Sequence, residues 1–448
     1  MSQTPPSSQG GTRAHLTLSA LVLFGLAYLA PLIVLGTFGV VAQAAHGAAA
    51  SSYLVALLAM LFTAASYGRM AALHPVAGSA YTYVSRAIDR RVGFMVGWGV
   101  TLDYLFLPMV IWLIGAAYMH DAFPGVPMAV WVLGFIVITT ALNWVGFRVA
   151  KSANAWLMAV QAGVILLFLG LAAAFVAAGK GAGSFDAGPF ANPAASFGAI
   201  TAGAAIAAYS FLGFDAVTTL SEEAIEPRRT LPKAIWMTAL LGGVIFIVVA
   251  YLTQLVHPGF AFRDAAAAAN DIAEQIGGRW FKGVFLAGMV VAQLASGIAA
   301  QAAGARLIHA MARDGVLPRR LLGDLHPRFG TPAAAVLLTG VIGLIALGMT
   351  VESSTSFINF GAFTAFTAVN LAVVCTAVRQ GRRPVGADLW LWYVAPLLGA
   401  AIDAWLLTRL ERPALVLGGI WLLAGLGILT WLTGGFRRQP PALHIDQH

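Results

Sequence analysis

The sequence predicts an all-α polytopic membrane protein, and three features of its 448 residues support this fold class. Hydrophobic residues make up 59% of the chain and charged residues only 10%, whereas a soluble domain carries about 25% charged residues. The mean hydropathy is +0.82. Apolar runs of about 20 residues, the length that an α-helix needs to cross the hydrocarbon core, recur along the chain.

Twelve such runs predict twelve transmembrane helices. They lie at residues 18–43, 51–71, 92–119, 127–146, 154–178, 197–221, 235–256, 281–305, 333–350, 355–377, 389–407 and 413–433. With this count and a cytoplasmic N-terminus, 20 of the 26 Lys and Arg residues fall on the cytoplasmic side, as the positive-inside rule requires. Both termini are therefore expected in the cytoplasm.

The ends of the chain differ in composition from the apolar middle. Residues 1–15 are polar and rich in Pro and Ser, so we expect a disordered cytoplasmic tail without a cleavable signal peptide. Residues 436–448 are predicted to form a second cytoplasmic tail. The net charge of +8 comes from basic residues in short loops, which argues against a nucleic-acid partner.

The sequence contains no motif that would indicate an enzyme. Cys375 is the single cysteine and lies in an apolar run, where we expect a packing role. There is no phosphate-binding loop, no nucleophile elbow and no His cluster with ligand spacing. We therefore expect no cofactor, no metal and no ATP-driven chemistry within this chain.

Two loops are predicted to contain helices of their own. The segment from Pro75 to Ile88 has apolar residues at helical spacing, which is typical of a short helix at the membrane interface. On the opposite side, Phe260 to Gly278 surrounds an Ala-rich stretch with acidic residues and is predicted to be a surface helix.

The first and sixth spans are each interrupted near the middle. Span 1 contains Pro31 followed by Gly36 and Gly39, and span 6 contains Gly203 and Gly213. The sixth span follows the first by five positions. This odd offset places the two halves, 18–178 and 197–377, in opposite orientations. Interrupted helices at matching positions of inverted halves indicate the substrate site of a transporter. Close helix packing is the alternative use for these glycines.

The predicted core therefore covers residues 16–380, and helices 11 and 12 follow within 385–435.

Asp215 lies directly after the presumed break in span 6, and a carboxylate at membrane depth costs roughly 3 kcal/mol, so it requires a partner, a proton or a substrate. We expect it to bind a substrate ammonium group; a buried ion pair or a protonated acid is the alternative. Asp103 and Tyr104 in span 3 are predicted to bind substrate, and Asp103 could instead carry a proton or bond to an unwound helix.

Gly213, Tyr209 and Phe214 surround the predicted break, where aromatic faces would attract an ammonium group. Ordinary packing is the alternative for both rings. Glu222 and Glu223 end span 6 and are predicted to pair with Arg86, Arg228 or Arg229 as a gate or proton-coupling site. Asp403 in span 11 is expected to be structural or to lie at a subunit contact.

Several segments resemble the amino acid, polyamine and organocation permeases. They are the run from Tyr209 through Ile235, the loop Pro75-Val-Ala-Gly-Ser-Ala-Tyr-Thr-Tyr, and the stretch from Ala303 through Pro332. Within this family the chain is most similar to bacterial putrescine importers, on the basis of three further runs: Gly25-Leu-Ala-Tyr-Leu-Ala-Pro, Leu102-Asp-Tyr-Leu-Phe-Leu-Pro-Met and Ile358-Asn-Phe-Gly-Ala-Phe-Thr-Ala-Phe.

The resemblance implies an inverted five-plus-five, LeuT-like fold with two extra C-terminal helices, in a bacterial inner membrane. It also places Gly36 and Thr37 beside the substrate, although Leu35-Gly-Thr-Phe-Gly is bulkier than the turn that holds a carboxylate in the family's amino-acid carriers. The chain also has Gly36 where the putrescine importers have an acidic residue, which leaves the substrate open.

We expect import of a putrescine-like amine or an amino acid by proton symport, with Na⁺ as the alternative coupling ion. A neutral amino-acid permease or exchanger and a non-transporting sensor are the alternative functions. The expected partners are the substrate and the lipid bilayer, and the expected assembly is a monomer or a homodimer.

Overall fold

The computed structural model describes residues 16–75, 79–146, 151–221, 223–313, 316–383 and 385–440, without the side chains of 151–157. Over these ranges the chain is helical, with one isolated bridge between Leu16 and Ala224. The α-helices are α1 Leu18–Leu29, α2 Ile33–Ala44, α3 Ala49–Leu73, α4 Ser79–Ala87, α5 Arg90–Ala122, α6 Met128–Val145, α7 Lys151–Ala177, α8 Phe197–Ala207, α9 Pro227–Val256, α10 Ala268–Arg313, α11 Arg319–Leu322, α12 Ala333–Gly343, α13 Val351–Arg379, α14 Ala387–Leu389, α15 Ala395–Thr408 and α16 Arg412–Leu432.

The all-α polytopic class is confirmed. Within the described ranges, ten helices are long and apolar enough to cross a membrane, and the count is eleven when the bent pair α1 and α2 is one span. The place of the predicted ninth span is occupied by a shorter apolar helix, Ala333–Gly348, which ends in 3₁₀ geometry from Leu344. The structure therefore supports eleven of the twelve predicted spans by length and composition.

The break predicted in span 1 lies at Ala30 to Leu32. Ala30 has a left-handed backbone with φ of 44°, and Pro31 has no N–H to continue the helical bonding. The two half-helices consequently meet at an angle of 53°. Gly36 and Gly39 lie beyond the break, inside α2. A Cβ at Gly39 would collide with the carbonyl oxygen of Ala265, so for this glycine the packing alternative holds.

Span 6 is interrupted at Gly213. The helix α8 passes into a 3₁₀ turn, Ala208–Phe211, and a second 3₁₀ segment, Phe214–Leu220, follows the interruption. Gly213 has φ of 103°, a conformation that L side chains rarely adopt. Gly203, by contrast, lies inside α8, where it allows close contact with Ser52.

The loops follow the prediction in part. The predicted interfacial helix is present as α4, and Ala80, Tyr83, Val84 and Ala87 form its buried face. In the other loop, residues 260–264 are not helical. A 3₁₀ turn at Ala265–Ala267 leads into α10, which bends at Gly278, where φ is 70°. The predicted surface helix therefore begins eight residues later than expected and ends at Gly278, where the backbone is not helical and the next span follows.

Charged and close-packed contacts join the helix ends on the side opposite Leu16. Asp121 at the end of α5 is 4% exposed and accepts hydrogen bonds from Arg263 and from Asn270, the latter at 3.1 Å. Lys282 lies 3.8 Å from the same carboxylate. Because these residues come from α5, the loop before α10 and both parts of α10, the cluster ties these parts together near the C-terminal end of α2.

Candidate functional site

A small cavity lies beside both helix breaks, on the membrane side that carries Leu16. It is lined by twelve residues: Tyr28 of α1; Ser79, Ala80 and Tyr81 of α4; Gly97, Val100, Asp103 and Tyr104 of α5; and Gly213, Asp215, Ala216 and Thr219 of span 6. Thr219 is exposed and lies one 3₁₀ turn beyond Ala216, so the cavity is reached from the Leu16 side. The lining includes two acids and no base.

Asp215 is held at the start of the second 3₁₀ segment of span 6. Its side chain is half-buried, and Oδ2 accepts a hydrogen bond of 2.9 Å from the hydroxyl of Ser79. Ser79 itself has a left-handed backbone with φ of 37°, which places the start of α4 against span 6. No ion pair to Asp215 is found among the residues with described positions. The side-chain donor that the described residues offer to this carboxylate is therefore a neutral hydroxyl.

The second acid reaches the cavity from α5. Gly97, Val100 and Tyr104 follow the i, i+3, i+7 spacing of one helix face, and Asp103 lies beside them on the same turn. Asp103 is half-buried, and its Oδ1 is fully enclosed with no hydrogen-bond partner in the described part of the chain. Arg306 of α10 is not among the residues that line the cavity. The cavity therefore offers a second unneutralised carboxyl.

The cavity is narrow. Its volume is about 50 Å³, well below the roughly 150 Å³ of an apolar cavity that accepts benzene. The ring of Tyr28 presses against Gly213 and closes one end. A space of this size favours a small ligand over a bulky one.

The structure places four of the predicted substrate residues around this cavity: Asp215, Asp103, Tyr104 and Gly213. Phe214 and Tyr209 are not among the lining residues. Phe214 is fully buried, with ring centroids 5.6 Å from Tyr67 and 5.4 Å from Phe366. Tyr209 is 5% exposed within the same hydrophobic core. Both rings lie where the packing alternative expected them.

Gly36 and Thr37 lie in α2, away from the cavity. Thr37 is buried, donates to the carbonyl of Ile33 at 3.2 Å and lies 3.3 Å from the hydroxyl of Tyr53. The same Tyr53 hydroxyl lies 3.3 Å from Ser210 in the 3₁₀ turn of span 6. This polar chain joins the second half of span 1 to the first half of span 6, so the structure gives Thr37 a contact that connects the two broken spans.

Among the described residues, Glu223 forms no ion pair with Arg86, Arg228 or Arg229. Glu222 lies outside the described residues. Glu223 is exposed, and its backbone carbonyl accepts a hydrogen bond of 2.7 Å from the N–H of Leu16. Arg229 pairs with Glu226 at 3.4 Å instead.

Within the described ranges, the side chain of Arg86 contacts a histidine. Burial and the neighbouring Arg86 guanidinium lower the pKa of His74, which is therefore neutral at pH 7. Its Nδ1 accepts a hydrogen bond of 3.3 Å from Arg86. This contact joins α4 to the end of α3 on the side from which the cavity is reached.

Sequence reasoning missed Tyr28, Ser79, Tyr81 and Thr219 as lining residues. Tyr28 lies in the Gly25-to-Pro31 run and Ser79 in the loop after α3, both of which carried the family resemblance. The available signal was that Tyr28 lies just before the break in span 1 and that Ser79 begins the interfacial helix α4. Ser79 and Asp215 are 136 residues apart, so nothing local in the sequence pairs them.

Comparisons with known proteins agree with this architecture. The amino acid permease family model matches residues 21–379. The low-affinity putrescine importer PlaP of Escherichia coli K12 is 38% identical over 441 residues, which cover 98% of each chain. The branched-chain amino acid permease BcaP of Bacillus subtilis is 26% identical over 84% of each chain. Human cationic amino acid transporter 4 is 28% identical over 78% of this chain and 57% of its own length. The chain therefore belongs to the amino acid permease family of the amino acid, polyamine and organocation superfamily, as a transporter rather than an enzyme.

Proposed function

We propose that this protein is a secondary active transporter that imports a small diamine of the putrescine type. The observation that carries the proposal is the pair of carboxyl groups, Asp103 and Asp215, that face one narrow cavity without a basic lining residue. A linear diamine has two ammonium ends and no carboxylate, so it matches both the charge and the shape of this space. The full-length similarity to a putrescine importer supports the same substrate class.

The roles of the two acids differ. Asp215 sits at the helix break and already receives a hydrogen bond from Ser79, which orients its carboxylate for one ammonium group. Asp103 has an enclosed oxygen without a donor, which suits either the second ammonium group or a proton that leaves during the transport cycle. We assign proton symport to this pair, with Asp103 as the carrier of the coupled proton. Na⁺ is the alternative coupling ion.

We further propose twelve spans in two inverted repeats of five, with helices 11 and 12 outside the repeats and both termini in the cytoplasm of a bacterium. In this orientation the cavity opens to the cytoplasm, and the cluster around Asp121 closes the periplasmic side. Breaks at Pro31 and Gly213 supply the hinges at which the inner halves of spans 1 and 6 would move.

The alternative function is a neutral amino-acid permease or exchanger, which the similarity to a branched-chain amino acid permease favours. Such a carrier would need donors for a substrate carboxylate. At the break in span 1, the N–H groups of Ile33, Val34 and Leu35 already donate to the carbonyls of Ala30, Pro31 and Leu32, so this alternative would need a rearranged break.

A substrate panel in proteoliposomes separates these functions. We expect uptake of labelled putrescine that is driven by an inward proton gradient and abolished when the gradient is collapsed. Uptake restricted to neutral amino acids would overturn the diamine assignment. Dependence on Na⁺ without a pH gradient would replace the proton as the coupling ion.

A further inference from the structure

A fully buried acid lies outside the cavity, where α3, α13 and α15 meet. Asp403 of α15 is 0% exposed, as are Thr63 of α3 and Asn370 of α13. Asp403 Oδ2 accepts a hydrogen bond of 2.7 Å from the Thr63 hydroxyl and one of 3.0 Å from the Asn370 amide. The Asn370 amide also donates to Thr63 at 2.9 Å. The three side chains thus form a closed polar triangle in an apolar interior.

The triangle leaves oxygens without donors. Asp403 Oδ1, Asn370 Oδ1 and, one turn along α3, Ser66 Oγ are buried and have no hydrogen-bond partner in the described ranges. Asp403 therefore receives two neutral donors on one oxygen and none on the other. An ionised carboxylate in this position would carry an uncompensated charge in a dry interior, which costs several kcal/mol.

Among the residues that the structure describes, no basic side chain forms an ion pair with Asp403. The titratable or basic residues of the elements packed around it are Tyr53, Tyr67 and Arg69 of α3, Glu352, Cys375 and Arg379 of α13, and Tyr393 before α15. Arg69 is about 9 Å along the helix from Thr63, and Arg379 bonds to the carbonyl of Ile88 at 2.6 Å. The Tyr393 hydroxyl donates to the carbonyl of Arg382 at 2.7 Å. The balancing positive charge must come from elsewhere.

A proton fits this site, and a metal ion does not. The helix α15 approaches Asn370 through Gly399, where an added Cβ would lie only 2.8 Å from Asn370 Oδ1. This close packing leaves no space for a cation with its shell of oxygen ligands. A proton on Asp403 Oδ1 needs no additional space, and the unpartnered acceptors of Ser66 and Asn370 lie on the neighbouring helices.

We propose that Asp403 is a proton-binding site of this protein, separate from the substrate cavity, and that the bound proton stabilises the packing of α15 against α3 and α13. Loss of the proton would leave a bare carboxylate in the triangle and loosen this contact. The site would make the stability of the carrier sensitive to alkaline pH, whichever substrate or coupling ion the cavity uses.

Infrared spectroscopy of the full chain in lipid nanodiscs tests the proposal directly. At neutral pH the wild type should show a protonated carboxylic acid carbonyl band that is lost in Asp403→Asn. The matched control is Asp388→Asn, which removes an exposed acid 3.6 Å from Arg382 and should leave the band unchanged. A spectrum in which Asp403→Asn removes only carboxylate bands would overturn the proposal.

Two further measurements keep the test decisive. The unfolding midpoint of the wild type should fall by several degrees as the pH rises above neutral, and that of Asp403→Asn should not, because an amide cannot lose a proton. Identical pH profiles would count against a proton at this site. If Asp403→Asn does not fold, Thr63→Val, which removes one hydrogen-bond partner, should shift the acid band to higher wavenumber; an unshifted band would contradict the assignment.

Discussion

Replacement of Asp215 by Asn is the most direct test of how the cavity binds its substrate. The amide has the same shape and can still accept the hydrogen bond that Ser79 donates at 2.9 Å, so the start of the second 3₁₀ segment should keep its position. What disappears is the negative charge. The experiment therefore separates charge from shape at a single position.

The size of the effect follows from the position of this carboxylate. Two opposite unit charges 4 Å apart interact by about 4 kcal/mol at an effective dielectric constant of 20, which suits a half-buried site. Desolvation of the ammonium group offsets part of this gain. A net loss of about 2–4 kcal/mol corresponds to roughly 30- to 900-fold weaker binding of a cationic substrate.

The assay is initial uptake of labelled putrescine into proteoliposomes over a range of concentrations that brackets KM. We expect KM for Asp215→Asn to rise by roughly 30-fold or more, and uptake well below saturation to fall to background. The matched control is Asp324→Asn, an exposed acid in the loop before α12, which should transport like the wild type. A KM within threefold of the wild-type value would refute the assignment of Asp215 to a substrate ammonium group.

Three further substitutions test the surroundings of the site. Ser79→Ala removes the hydroxyl that donates a hydrogen bond to Asp215. It should raise KM about tenfold, equivalent to ~1.4 kcal/mol, with the maximal rate preserved. An unchanged KM would show that substrate binding does not need this hydrogen bond. Gly213→Ala would place a Cβ against the Tyr28 ring at a residue whose φ is 103°, and it should abolish uptake. The control Gly170→Ala on α7 has open space around the added Cβ and should leave uptake unchanged in the same assay. The indole N–H groups of Trp98 and Trp421 each donate to the other residue's backbone carbonyl, at 2.8 and 3.0 Å. Trp421→Phe removes the second of these bonds and should lower the unfolding midpoint in a thermal melt. It should leave KM unchanged, because α16 does not line the cavity.

The sequence alone was sufficient for the fold class, for eleven of the spans and for both helix breaks. Hydrophobicity over 20 residues and the backbone preferences of Pro and Gly are local properties, so they can be read without knowledge of neighbouring helices. Asp103 and Asp215 were also identifiable, because an acid within an apolar run is conspicuous wherever its helix points.

Only the tertiary structure decided which side chains face the cavity. Phe214 and Asp215 are adjacent in sequence, but in a 3₁₀ segment with three residues per turn their side chains point about 120° apart. One ring consequently packs between Tyr67 and Phe366, and the neighbouring carboxylate meets Ser79. The direction of each side chain depends on how distant helices pack, and this information is not contained in local hydrophobicity or propensity.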